Sequence, residues 1–433
     1  GQFRDDPFAL KALGDHAFAT GINRFIIHRY AMQPWIGVEP GMLFGAYGIN
    51  FDRTQTWWEN GAKAWCEYLG RCQALLQAGQ FVADVAVFIG EGAPNYLGHR
   101  EEIWDPVPAG YDYDGVNLEI LERFQVAANG DLVLPHGMRY RVLLLPNRPH
   151  ITPGALEAVA RLVAAGATAI GPRPVRSPSL SKQPASDAAV RKLAGGLWGA
   201  IDSRAATENR YGKGLMIAGR SLADVLEKLA PPDFGYSISG GDGTIRYIHR
   251  RTDDTDFYFV ANADSARSVD AVARFRVAGK APELWDAATG AMTRPAVYRQ
   301  AGGITEVPLH FDPAGSTFVV FRRPAEATAL IAVNRSGGDS TGEIPPEIGR
   351  TGDGLLVMGG VPGRYTALTA GGKSVSWTIP ASRTVARLDG PWTIAFPPGK
   401  QAPERVVFSK LISWTDSPDD GVKNFSGTAS YRI

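Results

Sequence analysis

The chain has 433 residues and a formal net charge of +1, from 45 Lys and Arg against 44 Asp and Glu. Charge this balanced and dispersed leaves no basic stripe for nucleic acid and no cationic amphipathic segment for a membrane surface. At roughly 100–200 residues per domain the length predicts two to four domains, and no run of about 18 apolar residues is present to insert in a bilayer.

Cys66 and Cys72, the two cysteines, lie six apart in a helical pattern. Their Cα atoms are then separated by about 9 Å of rise, beyond the roughly 7 Å limit for a bridge. Both are expected as free, buried thiols, which suits the cytosol and a bacterial periplasm alike. The chain opens at Gly1-Gln2-Phe3 without Met or an apolar leader, and stops at Tyr431-Arg432-Ile433 inside a strand-like run. An interior piece of a longer protein is expected, periplasmic or secreted in full, so missing signals carry no weight.

Residues 1–80 begin with a helical stretch from Phe8 to Thr20, then Gly21 and Asn23 lead into the apolar run Phe25-Ile26-Ile27. That run predicts a buried strand, and its end carries His28-Arg29-Tyr30 and Gln33-Pro34-Trp35. Helix, turn, buried strand and polar-aromatic end is the order of the last unit of a (β/α)8 barrel, whose strand ends face the active-site mouth. A helix over 57–77 follows. Trp58, Ala62, Trp65, Leu69, Cys72 and Leu76 recur every three or four residues and predict one apolar face. Trp57 lies off that stripe and is expected to be free to face the mouth.

Residues 81–230 change character. Continuous apolar runs at Val82 to Ile89, Val142 to Leu145 and Ala167 to Ile170 predict buried parallel strands. Between the last two, Thr152-Pro153-Gly154 opens a helix to Ala165, with Gly166 placed to end it. Strand, helix and strand in this order predict a doubly wound sheet. Residues 231–325 alternate instead, with short β runs at Phe257 to Val260 and Thr317 to Phe321 between Gly, Asp and Asn turns, so an antiparallel sandwich is expected. Residues 326–386 continue the β pattern with Gly turns at 337–338 and 359–360, and a last segment occupies 387–433.

The strongest cluster of candidate chemistry is His28, Tyr30, Gln33, Trp35, Trp57 and Glu59. Sugar sites need hydrogen-bonding groups for hydroxyls and aromatic faces for the C–H side of the ring, and this set supplies both. Ordinary barrel-rim packing with a satisfied histidine accounts for it equally well. Glu59 begins a helix, where the dipole alone favours a carboxylate. Glu91 follows the first doubly wound strand, at the edge where such sheets place ligands, although a Gly-Glu-Gly turn also suits a solvated carboxylate. There is no G-x-G-x-x-G after a strand and no P-loop. His99, His136, His150 and His249 show no metal-ligand spacing, and no Gly-x-Ser-x-Gly elbow marks a serine hydrolase.

In fixed order, Gly21-Ile22-Asn23-Arg24-Phe25, His28-Arg29-Tyr30, Gln33-Pro34-Trp35, Pro40-Gly41-Met42 and Thr54-Gln55-Thr56-Trp57-Trp58-Glu59 resemble the closing barrel segment of glycoside hydrolase family 106, the α-L-rhamnosidases. Tyr68 to Gln73 and Ala83-Asp84-Val85 continue that likeness. Residues 80–220, through Tyr111-Asp112-Tyr113-Asp114 and Leu144-Leu145-Pro146, are similar to the flavodoxin-like domain that follows the barrel in galactosidase-type hydrolases. Leu388 to Trp392 and Phe425 to Arg432 resemble the opening of a sugar-binding jelly roll.

The fold class so implied is multidomain α/β plus β: the C-terminal part of a (β/α)8 barrel, a flavodoxin-like domain, β-sandwiches and the start of a jelly roll. The resemblance also implies inverting hydrolysis of terminal α-L-rhamnosyl bonds, with a calcium ion at the sugar. No position in this chain matches either catalytic glutamate of the family. Two alternatives stay open: another exo-glycosidase such as a β-galactosidase, and a non-catalytic carbohydrate-binding array.

Overall fold

The structure is a computed structural model, and it describes residues 5–35, 37, 41–42, 48–55, 57–93, 95–202, 207–239, 241–336, 346–352 and 354–433. Pro40, Thr56 and the Gly turn at 337–338 lie outside the described residues, as does the side chain of Asn60. The described chain is mixed α/β, with many strands and few helices.

Helix α1 spans Pro7–Ala19; Asp6 caps it by accepting from the Ala9 amide, and Pro7 occupies the first turn. The expected strand at Phe25-Ile26-Ile27 does not form: these residues are extended without a ladder, and Ile26 is 93% exposed. A parallel strand needs neighbours on its edges, and none among the described residues pairs with this run. The helix expected over 57–77 divides into a π-helical turn, Trp58–Ala62, and helix α2, Lys63–Leu76. Ala62, Trp65, Leu69, Cys72 and Leu76 are buried in one stripe. Both cysteines are free, but Cys66 is exposed rather than buried. At 3.6 residues per turn, a six-residue step leaves the stripe that holds Cys72.

That stripe packs on an antiparallel sheet with strand order Gln80–Phe81, Ile245–Arg251, Asp256–Asn262, Ser316–Pro324, Lys280–Trp285, Met292–Thr293. Ile248, Phe257, Phe259, Phe318 and Val320 meet the helices on one face. Tyr258, Val260, Val319 and Phe321 point the other way, into a second sheet of Phe234–Ile238, Val269–Phe275, Ile304–Phe311 and Arg299–Ala301. Strand Asp256–Asn262 is therefore buried at every position, whereas Val269–Phe275, covered on one side, alternates. Polar contacts fasten α1 to this sandwich. Lys11 Nζ donates to Asp15 Oδ2 at 2.6 Å, Ala314 O at 2.8 Å and Ser316 Oγ at 2.7 Å, and the Tyr68 hydroxyl donates to Asp15.

A third sheet has the order Tyr113–Val116, Val85–Phe88, Val142–Leu144, Thr168–Ile170, Gly214–Ile217, Glu208–Tyr211; all but the last run parallel. Alternate residues feed two cores. Ala86, Phe88, Leu143 and Ala169 face helices α3 (Leu118–Arg123), α4 (Pro153–Ala165) and α5 (Ala185–Trp198). Val85, Val87, Leu144 and Ile170 face helix α6 (Leu222–Leu229) and the loop through Ile103 and Val107. Three small antiparallel sheets follow: Leu330–Arg335 with Gly363–Thr369 and Ser374–Ile379, the pair Glu347–Thr351 and Gly354–Met358, and Trp392–Ala395 with Arg405–Phe408 and Ser430–Arg432.

The N-terminal edge of the parallel sheet meets the sandwich through buried charge. Asp84, just before Val85, accepts from Arg141 Nε at 2.9 Å and from Arg276 at 2.8 and 3.0 Å. Arg276 also lies 3.3 Å from Asp233. Asp233 and Asp256 then hold His249 between them, at 2.9 Å from Nδ1 and 3.2 Å from Nε2. Tyr258 donates to Asp233 at 3.1 Å, while Lys280 at 2.9 Å and Arg251 neutralise Asp256. A neutral imidazole has one donor, so two carboxylate partners select the imidazolium. Burial works against that charge, and the two carboxylates override it, leaving the His249 pKa above its ordinary value. Burial also opposes ionisation of Asp233 and Asp256, yet His249 and the neighbouring cations hold both below the usual range. Nearby, burial pushes the Asp112 carboxyl up to about 7 against the pull of Arg100, and raises Asp84.

His249 stabilises fully below about pH 6.5, its ordinary value, and that contribution fades as pH rises through the raised one. Asp84 and Asp112, also raised, lose stabilisation in the same direction. Asp233 and Asp256, depressed, contribute above about pH 4 and lose their share as pH falls. The thermal unfolding midpoint is expected to drop between about pH 6 and pH 8. His249→Gln, which cannot carry the charge, should flatten part of that drop while costing about 3–5 kcal/mol. An alkaline slope that is identical in wild type and variant contradicts the charged histidine.

Candidate functional site

Residues 28–35 run extended, and their exposure alternates: His28, Tyr30, Met32 and Pro34 are exposed, whereas Ala31 and Gln33 are buried. The run is tied to 48–55, with Arg29 N donating to Ile49 O at 3.0 Å and Ile49 N to His28 O at 2.8 Å. Gly48, at φ +77°, permits this approach, since a Cβ there would stand 2.2 Å from the His28 carbonyl oxygen.

Of the predicted site residues, Tyr30 and Trp57 come together around a shared aromatic shelf. The Tyr30 ring lies 5.8 Å from Trp58, and Phe51 touches both Trp58 at 5.2 Å and Trp57 at 5.8 Å. Trp57 is not free, as the stripe argument expected: it is half-buried and its indole N–H donates to Asp5 O at 3.1 Å. Tyr30 and Trp35 are 64% and 65% exposed, so their aromatic faces are the ones available to a ligand. His28 and Glu59 are exposed, Glu59 in the first turn of the π-helical segment.

Gln33 sits behind that surface rather than on it. Its Oε1 accepts from Met42 N at 2.8 Å, and its Nε2 donates to Met42 O at 3.2 Å and faces Asp52 Oδ2 at 3.4 Å. The amide thus pins the loop at Met42. Glu91 stands in the parallel-sheet domain, where its two oxygens accept from Thr152 N at 2.9 Å and Thr152 Oγ1 at 2.7 Å. Thr152 caps helix α4, so Glu91 completes a helix N-terminus.

The sequence reading missed Asp52 and Gln55. Asp52 is fully buried, accepting from Thr54 N at 2.9 Å and Thr54 Oγ1 at 2.6 Å. Gln55 is buried and, among the described residues, its Nε2 has no hydrogen-bond partner. The Asp52-x-Thr54 spacing is a local turn signal that could have marked the first; nothing local marks the second.

Exposed aromatic rings at Tyr30 and Trp35, on a segment that also exposes His28, suit a ligand that is part apolar and part hydroxyl, as a sugar is. The chain belongs to glycoside hydrolase family 106, described as alpha-L-rhamnosidase, whose match covers residues 1–300. A curated protein of Formosa agariphila named "Putative beta-glucuronidase" is 40% identical over 329 residues, 75% of this chain and 26% of that protein. The structure of a rhamnosidase from Novosphingobium sp. PP1Y superposes with a TM-score of 0.77 at 32% identity, covering 99% of this chain and 36% of that one. The chain therefore spans about a quarter of the first and about a third of the second. Among the described residues, no helix is long and apolar enough to cross a membrane.

The two kinds of site residue separate in stability measurements. Gln33→Ala removes the amide that pairs both Met42 backbone groups and should cost about 1–3 kcal/mol in denaturant unfolding. Tyr30→Ala, at an exposed position, should stay within about 0.5 kcal/mol. Equal losses in both variants contradict this division.

Proposed function

We propose that this chain is the part of an inverting α-L-rhamnosidase that closes the catalytic barrel and continues into a flavodoxin-like domain, β-sandwiches and the start of a jelly roll. The observation that carries the proposal is the family match over residues 1–300, which includes the exposed His28, Tyr30 and Trp35. In this reading Tyr30 and Trp35 cover the C–H face of the sugar. His28 and Glu59 bond its hydroxyls, and Gln33 and Asp52 hold the segment behind them in shape.

Inversion needs a carboxylic acid for the leaving oxygen and a carboxylate to activate water, about 6.5–9.5 Å apart. We assign both to the part of the enzyme that this chain does not span. Calcium belongs to the same proposal. Among the described residues no three of His, Cys, Asp or Glu cluster as metal ligands, and Asp52 already accepts from Thr54. These residues do not fit as a calcium cage, and no step here depends on one.

The name of the Formosa agariphila relative favours a second substrate, a β-glucuronoside. Release of nitrophenol from α-L-rhamnoside, β-D-glucuronide and β-D-galactoside by the longer parent protein separates the readings. Rhamnoside turnover is expected, with none from residues 1–433 alone. Tyr30→Ala in the parent should lower kcat/KM about tenfold, roughly 1.4 kcal/mol of transition-state stabilisation. Silence on rhamnoside with turnover of glucuronide or galactoside overturns the assignment.

A further inference from the structure

The two edges of the parallel sheet have different surroundings. The N-terminal edge is joined to the sandwich through Asp84 and Arg276, at 2.8 Å. At the C-terminal edge, a cleft of about 220 Å³ opens beyond strands Val142–Leu144, Thr168–Ile170 and Gly214–Ile217. In open α/β sheets ligands bind outside the carboxyl ends of the strands. Leu145, Ile170, Pro172 and Ala218 form its apolar lining, and Trp104, Asp105, Asn147 and Arg220 supply aromatic and polar groups.

Trp104, Asp105 and Arg220 are held in place before any ligand arrives. Trp104 is 39% exposed, and its indole N–H donates to Leu145 O at 2.9 Å, which fixes the ring at the wall. Asp105 accepts from the Leu222 amide at 2.9 Å through Oδ2 alone among the described residues, which leaves Oδ1 for a ligand. Arg220 is braced by Thr207 at 2.9 Å and Glu208 at 2.9 Å. Side chains fixed in this way lose little entropy on binding.

We propose that this cleft is a second carbohydrate subsite, separate from residues 28–59, taking one neutral pyranose ring of a glycan. Trp104 covers the C–H face of the ring, Asp105 accepts from hydroxyls, and Asn147 and Arg220 donate to them. The volume, below the roughly 300 Å³ at which pockets for drug-sized ligands begin, suits a single ring. The Asp105 carboxylate opposes a phosphate, and no Gly-rich phosphate loop follows the strands. The proposal rests on the glycosidase reading for the class of ligand alone; the cleft and its braced side chains stand apart from it.

The test is titration of the 433-residue chain with methyl α-L-rhamnopyranoside and, separately, methyl β-D-galactopyranoside. The indole N–H signal of Trp104 is followed by NMR and assigned by its loss in Trp104→Phe. A saturable shift is expected at millimolar sugar, at least tenfold weaker in Asp105→Asn and unchanged in Tyr30→Ala. Asp105→Asn keeps the acceptor for Leu222, so the helix start is preserved; its unfolding midpoint is checked against wild type. No shift at Trp104 with either sugar, or a shift abolished by Tyr30→Ala, overturns the subsite. Tighter binding of flavin mononucleotide than of either sugar overturns the ligand class. A parent enzyme inactive on rhamnoside would end the proposed activity and leave this binding result standing.

Discussion

Arg276 bridges two carboxylates from different parts of the chain, Asp84 at the foot of the parallel sheet and Asp233 at the start of the sandwich. Much of the arrangement follows from that contact. It sets the N-terminal ends of the parallel strands against the sandwich and leaves their C-terminal ends clear. His249 carries the same network deeper, between Asp233 and Asp256, so the sandwich core is built around charge that is fully paired. Buried charge of this kind is costly to break and adds little stability over an apolar core of equal volume. What it supplies here is a defined orientation between two units that apolar packing alone would leave less specified.

The second constraint is that strand Asp256–Asn262 has no solvent face. Its odd-numbered residues from Phe257 meet helices α1 and α2, and Tyr258 and Val260 meet the opposite sheet. The segment carrying His28, Tyr30 and Trp35 connects these two helices. It is therefore mounted on the sandwich through α1, α2 and the Lys11–Asp15–Tyr68 contacts, and needs no regular strand to stay in place. Binding groups on a connection between rigid elements are the usual arrangement for a site.

Much of this was legible in local pattern. Thr152-Pro153 and Gly166 bracket helix α4, Gly166 at φ +132°, because capping depends on neighbours in the chain. The stripe from Ala62 to Leu76 and the apolar runs at Val85 and Val142 follow from periodicity. What escaped depends on how segments pair in three dimensions rather than on local pattern. Phe25-Ile26-Ile27 has strand composition but no ladder to join. Gln33 has the chemistry of a sugar contact, and its amide is taken by Met42; Glu91 has that of a rim carboxylate, and it is taken by Thr152, sixty-one residues on. His249 looked like one of several scattered histidines; Asp256 reaches it across the hairpin that pairs their strands, and Asp233 from the start of the sandwich sixteen residues before. The candidate surface was legible as residue types. Which of them face outward was not, since that is decided by the pairing of 28–29 with 49–51.

The most direct measurement is the structure of the longer parent protein with L-rhamnose bound at its catalytic carboxylates. The sugar is expected to lie within van der Waals contact, about 4.5 Å, of the Tyr30 or Trp35 ring, with His28 or Glu59 bonded to a hydroxyl. A productive rhamnose with no atom of residues 28–59 in contact would contradict it.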